Sequence, residues 1–141
     1  VGPYGYCADI SRTFVCGNIF NDIQKNLYSM AVNQINHNSS LIKDGTTFKE
    51  FIEKSWKLPK EYYGNRYSVM VHGIGLCDEW PSIRYPTDGG DKGGIFQKNM
   101  TITVESYIGK VGGKEGVKLE QQYLVGQNGL ELMSHHPLED I

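Results

Sequence analysis

Residues 67–81 read YSVMVHGIGLCDEWP, and this stretch decides how the rest of the chain is read. From Tyr67 to Leu76 the run is apolar except for Ser68 and His72, and it is rich in valine. It is too short for an ordinary helix, so it predicts a buried strand. Gly73 and Gly75 mark the end of that strand as a place where backbone can closely approach a ligand. His72 therefore stands at a strand end, a few residues before the acids Asp78 and Glu79. Downstream, 81–99 mixes Gly, Pro and charged residues without periodicity and reads as a loop. Thr101–Ile108 and Val117–Val125 read as two strands, with KVGGKEG between them as the turn of an antiparallel hairpin. No helical pattern follows that glycine-rich turn, which excludes a phosphate-binding loop. The tail after Ser134 is polar and reads as frayed, with His135 and His136 incidental.

Upstream, Ile19, Phe20, Ile23, Leu27, Met30, Ala31 and Ile35 share one helical stripe running to about residue 37, with Asn18 as its N-cap. Thr47 and Glu50 have the spacing of a capping box. Phe48, Phe51, Ile52 and Trp56 form a shorter stripe behind it, stopped by Pro59. Residues 4–16, YGYCADISRTFVC, alternate as a strand or hairpin. Tyr4, Tyr6, Ala8 and Ile10 take one face, and Cys7, Asp9, Ser11, Thr13 and Val15 the other. The order of elements predicts an α+β fold over 1–141, an antiparallel sheet with its helices on one face.

Composition narrows the function. The 141 residues carry 14 Lys and Arg against 16 Asp and Glu, a formal net charge of −2. No basic surplus points to nucleic acid. No apolar run reaches the roughly 18–20 residues of a membrane span. Two Trp, nine Tyr and five Phe are inconsistent with disorder. Cys7, Cys16 and Cys77 follow no metal spacing and read as small buried residues in a reducing cytosol, which gives the expectation of a cytoplasmic protein. The chain opens Val1-Gly2-Pro3 without an initiator Met and is read as a piece of something larger.

Three carboxylates lie in segments that want burial: Asp9 in YCADISRTF, Glu105 in TITVESYI and Glu120 in VKLEQQYLV. Brought together they would repel one another and raise their own pKa values unless a cation neutralised them. With His72 they make a mixed oxygen and imidazole set that suits Mn, Fe, Co or Zn, and the set alone does not choose among these.

These four motifs, in this order, resemble the pita-bread metallohydrolase superfamily of methionine aminopeptidase, prolidase and creatinase. GPYGYCADISRTF is similar to that family's strand bearing a metal-binding Asp, HGIGL to its histidine motif, and VESYIG and VKLEQQYLV to its two glutamate strands. The resemblance covers nearly the whole chain and implies a partial pita-bread fold with Asp9, His72, Glu105 and Glu120 as metal ligands. It also implies that the upstream part of the fold, with an Asp-x-Asp, is absent here. The expectation is then a catalytic-domain fragment that binds at most one metal well and has little or no activity by itself.

One departure bears on function. The peptidases place a second His next to a Glu after HGIGL, where it helps to hold the substrate. Here the run is HGIGLCDEWP, with Asp78 in its place. An ionised carboxylate accepts hydrogen bonds and repels a substrate carboxylate. HGIGLCDEWPSIRYPTD is instead similar to the DddP-type dimethylsulfoniopropionate lyases, a branch of the same fold that forms dimethyl sulfide and acrylate. That resemblance implies a metal-dependent lyase with iron as its metal and Asp78 as the catalytic base. The substrate is a small molecule, and the intact protein is expected to be a homodimer. Tyr67 and Trp80 are candidate aromatic faces for the sulfonium. Glu79 is expected to be a solvated or supporting carboxylate, and Arg12 to pair with a neighbouring acid. The alternative is a metallopeptidase of the Xaa-Pro aminopeptidase or prolidase type. Creatinase-like C–N hydrolysis and a non-catalytic binding module are more distant readings.

Overall fold

The computed structural model describes residues 2–17, 19–76 and 79–138. Five strands form one sheet: β1 (Val69–Gly73), β2 (Ser82–Arg84), β3 (Thr101–Gly109), β4 (Gly116–Val125) and β5 (Leu130–Leu132). Their spatial order is β2-β1-β3-β4-β5, and every pairing is antiparallel. The long hairpin β3–β4 is its spine. Its register runs from Thr101 opposite Leu124 to Gly109 opposite Gly116, so that Glu105 faces Glu120.

Strand alternation sorts the two faces of this hairpin. Ile102, Val104, Ile108, Val117, Leu119 and Tyr123 join the hydrophobic core. Helix α1 (Asp22–Ser40) packs on that face through Leu27, Tyr28, Ala31, Gln34, Ile35 and Asn38. Gln34 ties the layers together. Its Nε2 donates to the Tyr85 hydroxyl at 2.7 Å, and Ser106 Oγ donates to its Oε1 at 2.7 Å. The other face carries Glu105, Glu120 and, on β1, His72.

The helix starts later than its apolar stripe suggests. Asn21 is the N-cap: the Gln24 amide donates to Asn21 Oδ1 at 2.9 Å and the Asn21 amide donates to Gln24 Oε1 at 3.0 Å. This reciprocal box satisfies the first-turn donors and leaves Ile19 and Ile23 exposed. The expected cap, Asn18, lies outside the described residues. Helix α2 (Phe48–Lys54) begins at Thr47, whose Oγ1 accepts the Glu50 amide at 3.1 Å. It ends before Trp56, whose amide turns away to Asn38 Oδ1 at 2.8 Å. Pro59 does not stop that helix; it precedes a single turn, α3 (Lys60–Tyr63).

Three further expectations are corrected. The loop 81–99 contains β2 and a 3₁₀ turn, Pro86–Asp88. Residues 4–16 form no regular strand. They begin with a 3₁₀ turn, Pro3–Gly5, and then run extended with one isolated bridge, Ser11 to Glu120. Past that bridge it is the Thr13 hydroxyl, and not the Thr13 backbone, that meets β4, donating to the Lys118 carbonyl at 2.8 Å and accepting the Lys118 amide at 2.9 Å. Alternation survives, but inverted in polarity. Cys7, Asp9, Ser11, Thr13 and Val15 are half-buried, while Tyr4, Tyr6, Ile10 and Phe14 are exposed. Cys7 is thus only half-buried and Cys16 is exposed, against the expectation of buried thiols; Cys77 lies outside the described residues. Among the described residues no helix is long and apolar enough to cross a membrane.

Candidate metal centre

Four chain segments meet at His72. The residue is 1% exposed, and Glu105 and Glu120 beside it are 3% and 2% exposed. From His72 Nε2, Glu105 Oε1 lies at 3.2 Å, Glu120 Oε1 at 3.3 Å and Asp9 Oδ2 at 3.9 Å. The other ring nitrogen, Nδ1, faces the Gly73 carbonyl at 2.9 Å. A carbonyl only accepts, so Nδ1 carries a proton, and the neutral ring presents its lone pair at Nε2, toward the carboxylates.

The glutamates each use one oxygen and leave the other open. Glu120 Oε2 accepts from Ser11 Oγ at 2.9 Å. Glu105 Oε2 is in contact with the Lys118 ammonium, which also lies 4.0 Å from Glu120 Oε2. Both Oε1 atoms are buried with no hydrogen-bond partner. Orphaned buried carboxylate oxygens beside an imidazole nitrogen fit a divalent cation, which would satisfy all of them at once. Asp9, His72 and Glu120 form a possible metal site, their ligand atoms lying within 4.8 Å of one another. Glu105 is outside that group, although its Oε1 is the nearest carboxylate oxygen to Nε2.

Burial alone would lower the pKa of His72, but once protonated at Nε2 the ring gains a hydrogen bond to Glu120 beside that to the Gly73 carbonyl, and these with the charges of Glu120 and Asp9 hold its pKa above the ordinary value. Burial alone would raise Glu120, yet that hydrogen bond from the protonated ring, the Lys118 charge and the Ser11 hydroxyl bring it below the usual carboxylate range. Burial pushes Lys118 down, against the pull of Glu120, Asp9 and Glu79.

Of the two candidate aromatic faces, Tyr67 stands at this centre. Its pKa is raised by burial and then by the charges of Glu79, Glu120 and Asp9, and the Lys118 ammonium sits 4.2 Å above its ring. Trp80 lies further off and exposed, with Lys92 Nζ 5.7 Å above its ring. It lines a cleft of about 630 Å³ together with Phe48, Ile74, Lys92 and Met100. None of Asp9, His72, Glu105 and Glu120 lines that cleft, so it is the convergence of buried charge, not cleft volume, that marks the chemistry. The expected catalytic base, Asp78, lies outside the described residues.

Gly73 explains why a glycine follows the histidine. The chain returns over it: a Cβ there would run into the Trp80 carbonyl, and the Gly73 amide donates to the Pro81 carbonyl at 2.8 Å. The close approach anticipated for a ligand is made by the protein's own backbone.

Two contributors escaped the sequence reading, and a third was given the wrong partners. Lys118 lies two residues before Glu120 and Ser11 two residues after Asp9, so each shares its ligand's face; strand alternation around each ligand was the available signal. Arg12 was expected to pair with an acid. It donates instead to five oxygens, none a carboxylate: the carbonyls of Ser11, Glu120, His136 and Pro137, and Gln121 Oε1.

Comparison with known proteins gives this geometry a context. The profile of metallopeptidase family M24 matches residues 1–127. The dimethylsulfoniopropionate lyase DddP of Roseovarius nubinhibens is 34% identical over 143 residues, covering 99% of this chain and 32% of that protein. Among solved structures, the prolidase from Pyrococcus furiosus matches with a TM-score of 0.77 and 29% identity, covering 95% of this chain and 39% of its own. The X-Pro aminopeptidase from Thermotoga maritima matches with a TM-score of 0.75 and 28% identity, covering 96% and 37%. The chain spans about a third of the length of the curated relatives it matches.

Proposed function

The chain belongs to metallopeptidase family M24 and carries part of the pita-bread fold, and from that premise we propose that the protein bearing it is a metal-dependent lyase that converts dimethylsulfoniopropionate to dimethyl sulfide and acrylate. The observation that carries this reading is Asp78, standing in CDEWP where the peptidase pattern has its second histidine, in a chain 34% identical to a DddP lyase along nearly its whole length.

Asp9, His72, Glu105 and Glu120 are the residues that would hold the metal. When bound, a divalent transition metal supplies a Lewis acid for the substrate carboxylate, which acidifies the adjacent CH₂. The Asp78 carboxylate takes the proton from that carbon. The C–H electron pair becomes the C=C bond of acrylate, and the C–S bond breaks with its electrons passing to sulfur. Neutral dimethyl sulfide leaves and Asp78 keeps the proton, so charge and atoms balance. Tyr67, at the centre, and Trp80, further off, are the candidate faces for the sulfonium; the Lys118 and Lys92 ammoniums that lie over these rings would have to give way or leave the opposite face to it. Iron is the metal by resemblance, and Mn, Co or Zn fit the same donors. The substrate is a small molecule, and we place the intact protein in the cytoplasm as a homodimer.

The runner-up is an Xaa-Pro peptidase, favoured by the likeness to a prolidase and an X-Pro aminopeptidase. The test is direct competition: the metal-loaded protein is given dimethylsulfoniopropionate and, separately, an Xaa-Pro dipeptide. Dimethyl sulfide with equal acrylate supports the lyase. Cleavage of the dipeptide without dimethyl sulfide overturns it in favour of the peptidase.

A further inference from the structure

Three of the four candidate ligands stand on the central strands of the sheet. Asp9 does not. Its segment makes no regular ladder, and its side chain is 45% exposed. Contacts other than a regular strand ladder set its position. The Cys7 amide donates to the Gly75 carbonyl at 2.9 Å, Ser11 and Glu120 exchange backbone hydrogen bonds at 3.4 and 3.1 Å, and the Asp9 amide donates to Gln122 Oε1 at 3.3 Å. Behind these lies Arg12, whose guanidinium spends all five N–H donors on three pieces of chain. It reaches Ser11 O at 2.8 Å on its own segment, Glu120 O at 2.6 Å and Gln121 Oε1 at 2.5 Å on β4, and His136 O at 2.5 Å and Pro137 O at 3.1 Å on the tail.

The tail is bound to the same two β4 residues. Ser134 Oγ donates to Gln121 Oε1 at 3.0 Å and accepts the Gln122 amide at 3.2 Å, and the Met133 amide donates to the Gln122 carbonyl at 2.9 Å. Gln122 thus holds the tail by its backbone and Asp9 by its side chain. We infer that Arg12 and residues 133–137 form a positioning unit for Asp9, so that this segment is part of the metal centre. All five acceptors of Arg12 are neutral, so what the residue contributes is the fixed fork of its donors. Lysine, with three freely rotating donors, does not replace it.

The inference rests on Asp9 being a ligand, and its test separates the two claims. Mn²⁺ is titrated calorimetrically, and the visible absorption of bound Co²⁺ recorded, for the chain itself, Asp9→Asn, Arg12→Gln, Arg12→Lys, the double variant Asp9→Asn/Arg12→Gln, and a chain ending at Ser134. Arg12→Gln, Arg12→Lys and the shortened chain are each expected to weaken Mn²⁺ by about 10–100-fold, the usual cost of losing a residue that orients a ligand. Their Co²⁺ spectra move toward that of Asp9→Asn, and Arg12→Gln costs nothing further in the Asp9→Asn background. Wild-type affinity in Arg12→Gln and the shortened chain, or an Arg12→Gln effect of equal size with and without Asp9, overturns the inference. Should Arg12→Gln fail to fold, the shortened chain decides. An unchanged affinity in Asp9→Asn removes Asp9 from the ligand set, and the inference with it.

Discussion

Glu105 and Glu120 are direct partners across the β3–β4 ladder, and each turns a hydrogen-bond-free Oε1 toward His72 Nε2, at 3.2 and 3.3 Å. Like charges opposite one another weaken a sheet, and burial makes the repulsion harder to screen. Lys118 offsets part of it from one side. A divalent cation between the two Oε1 atoms would offset the rest, which makes the hairpin a part of the protein that gains stability from metal.

Glu120→Gln should therefore remove most of the metal-induced stabilisation. Any ligand that binds only the folded state raises the melting temperature, so Mn²⁺ is expected to raise that of the wild-type chain. In Glu120→Gln the rise should nearly vanish, with affinity falling by more than the roughly 10–100-fold of a supporting residue. Thermal unfolding with and without Mn²⁺ is the measurement.

Asp78→Ala is expected to separate binding from chemistry. In the intact protein lyase turnover should fall by at least the roughly 10²–10⁴-fold that a general base contributes, while metal content stays at the wild-type level. Metal analysis beside a dimethyl sulfide assay reads both. Loss of metal would make Asp78 a ligand and not the base.

Acidity should act on this centre in two directions. Glu120 is held below its ordinary 4.5, so its contribution to the stability of the metal-free protein is present above that value and is lost as pH falls through its lowered pKa. His72 is held above 6.5, so its contribution is present below 6.5 and is lost as pH rises through its raised pKa. Both are in place between 4.5 and 6.5. With a chelator present, this pair contributes most to the melting temperature in that window. Metal affinity follows the opposite course on the basic side, because His72 must lose its proton to ligate, and it rises with pH through the raised pKa of His72. Mn²⁺ titrations at pH about 6 and about 8 check the sign.

Gly73→Ala should be costly although only one carbon is added. The atoms it meets are the backbone of Trp80 and the ring of Pro81, which have no rotamer to yield. A loss of about 1–3 kcal/mol is expected. Turnover of the intact protein should drop as well, because the displaced Trp80 stands two residues after Asp78 in the sequence. Chemical denaturation and the lyase assay report the two effects.

The sequence was most informative where periodicity and chemistry agreed. The β3–β4 hairpin was legible from two alternating runs about a glycine-rich turn, and Glu105, Glu120 and His72 from acids and an imidazole in segments that want burial. The first helix was misplaced because Ile19 and Ile23 continue its apolar period, whereas the start is set by the reciprocal bonds of Asn21 and Gln24. β2 and β5, at three residues each, are too short to show a period. Residues 4–16 did alternate, but alternation does not say which face turns inward. Here the polar face does, because it meets the charged centre and not the apolar core. Lys118 was passed over because a lysine on a strand normally marks solvent, and its role follows only once Glu105 is known to lie beside it.

The most direct test of the account is an anomalous difference map from crystals of this chain soaked in Mn²⁺. One peak is expected, within coordination distance of His72 Nε2 and of an oxygen from each of Asp9, Glu105 and Glu120. No peak at that position, or two fully occupied ions bridged by Asp9 and Glu120, would contradict it.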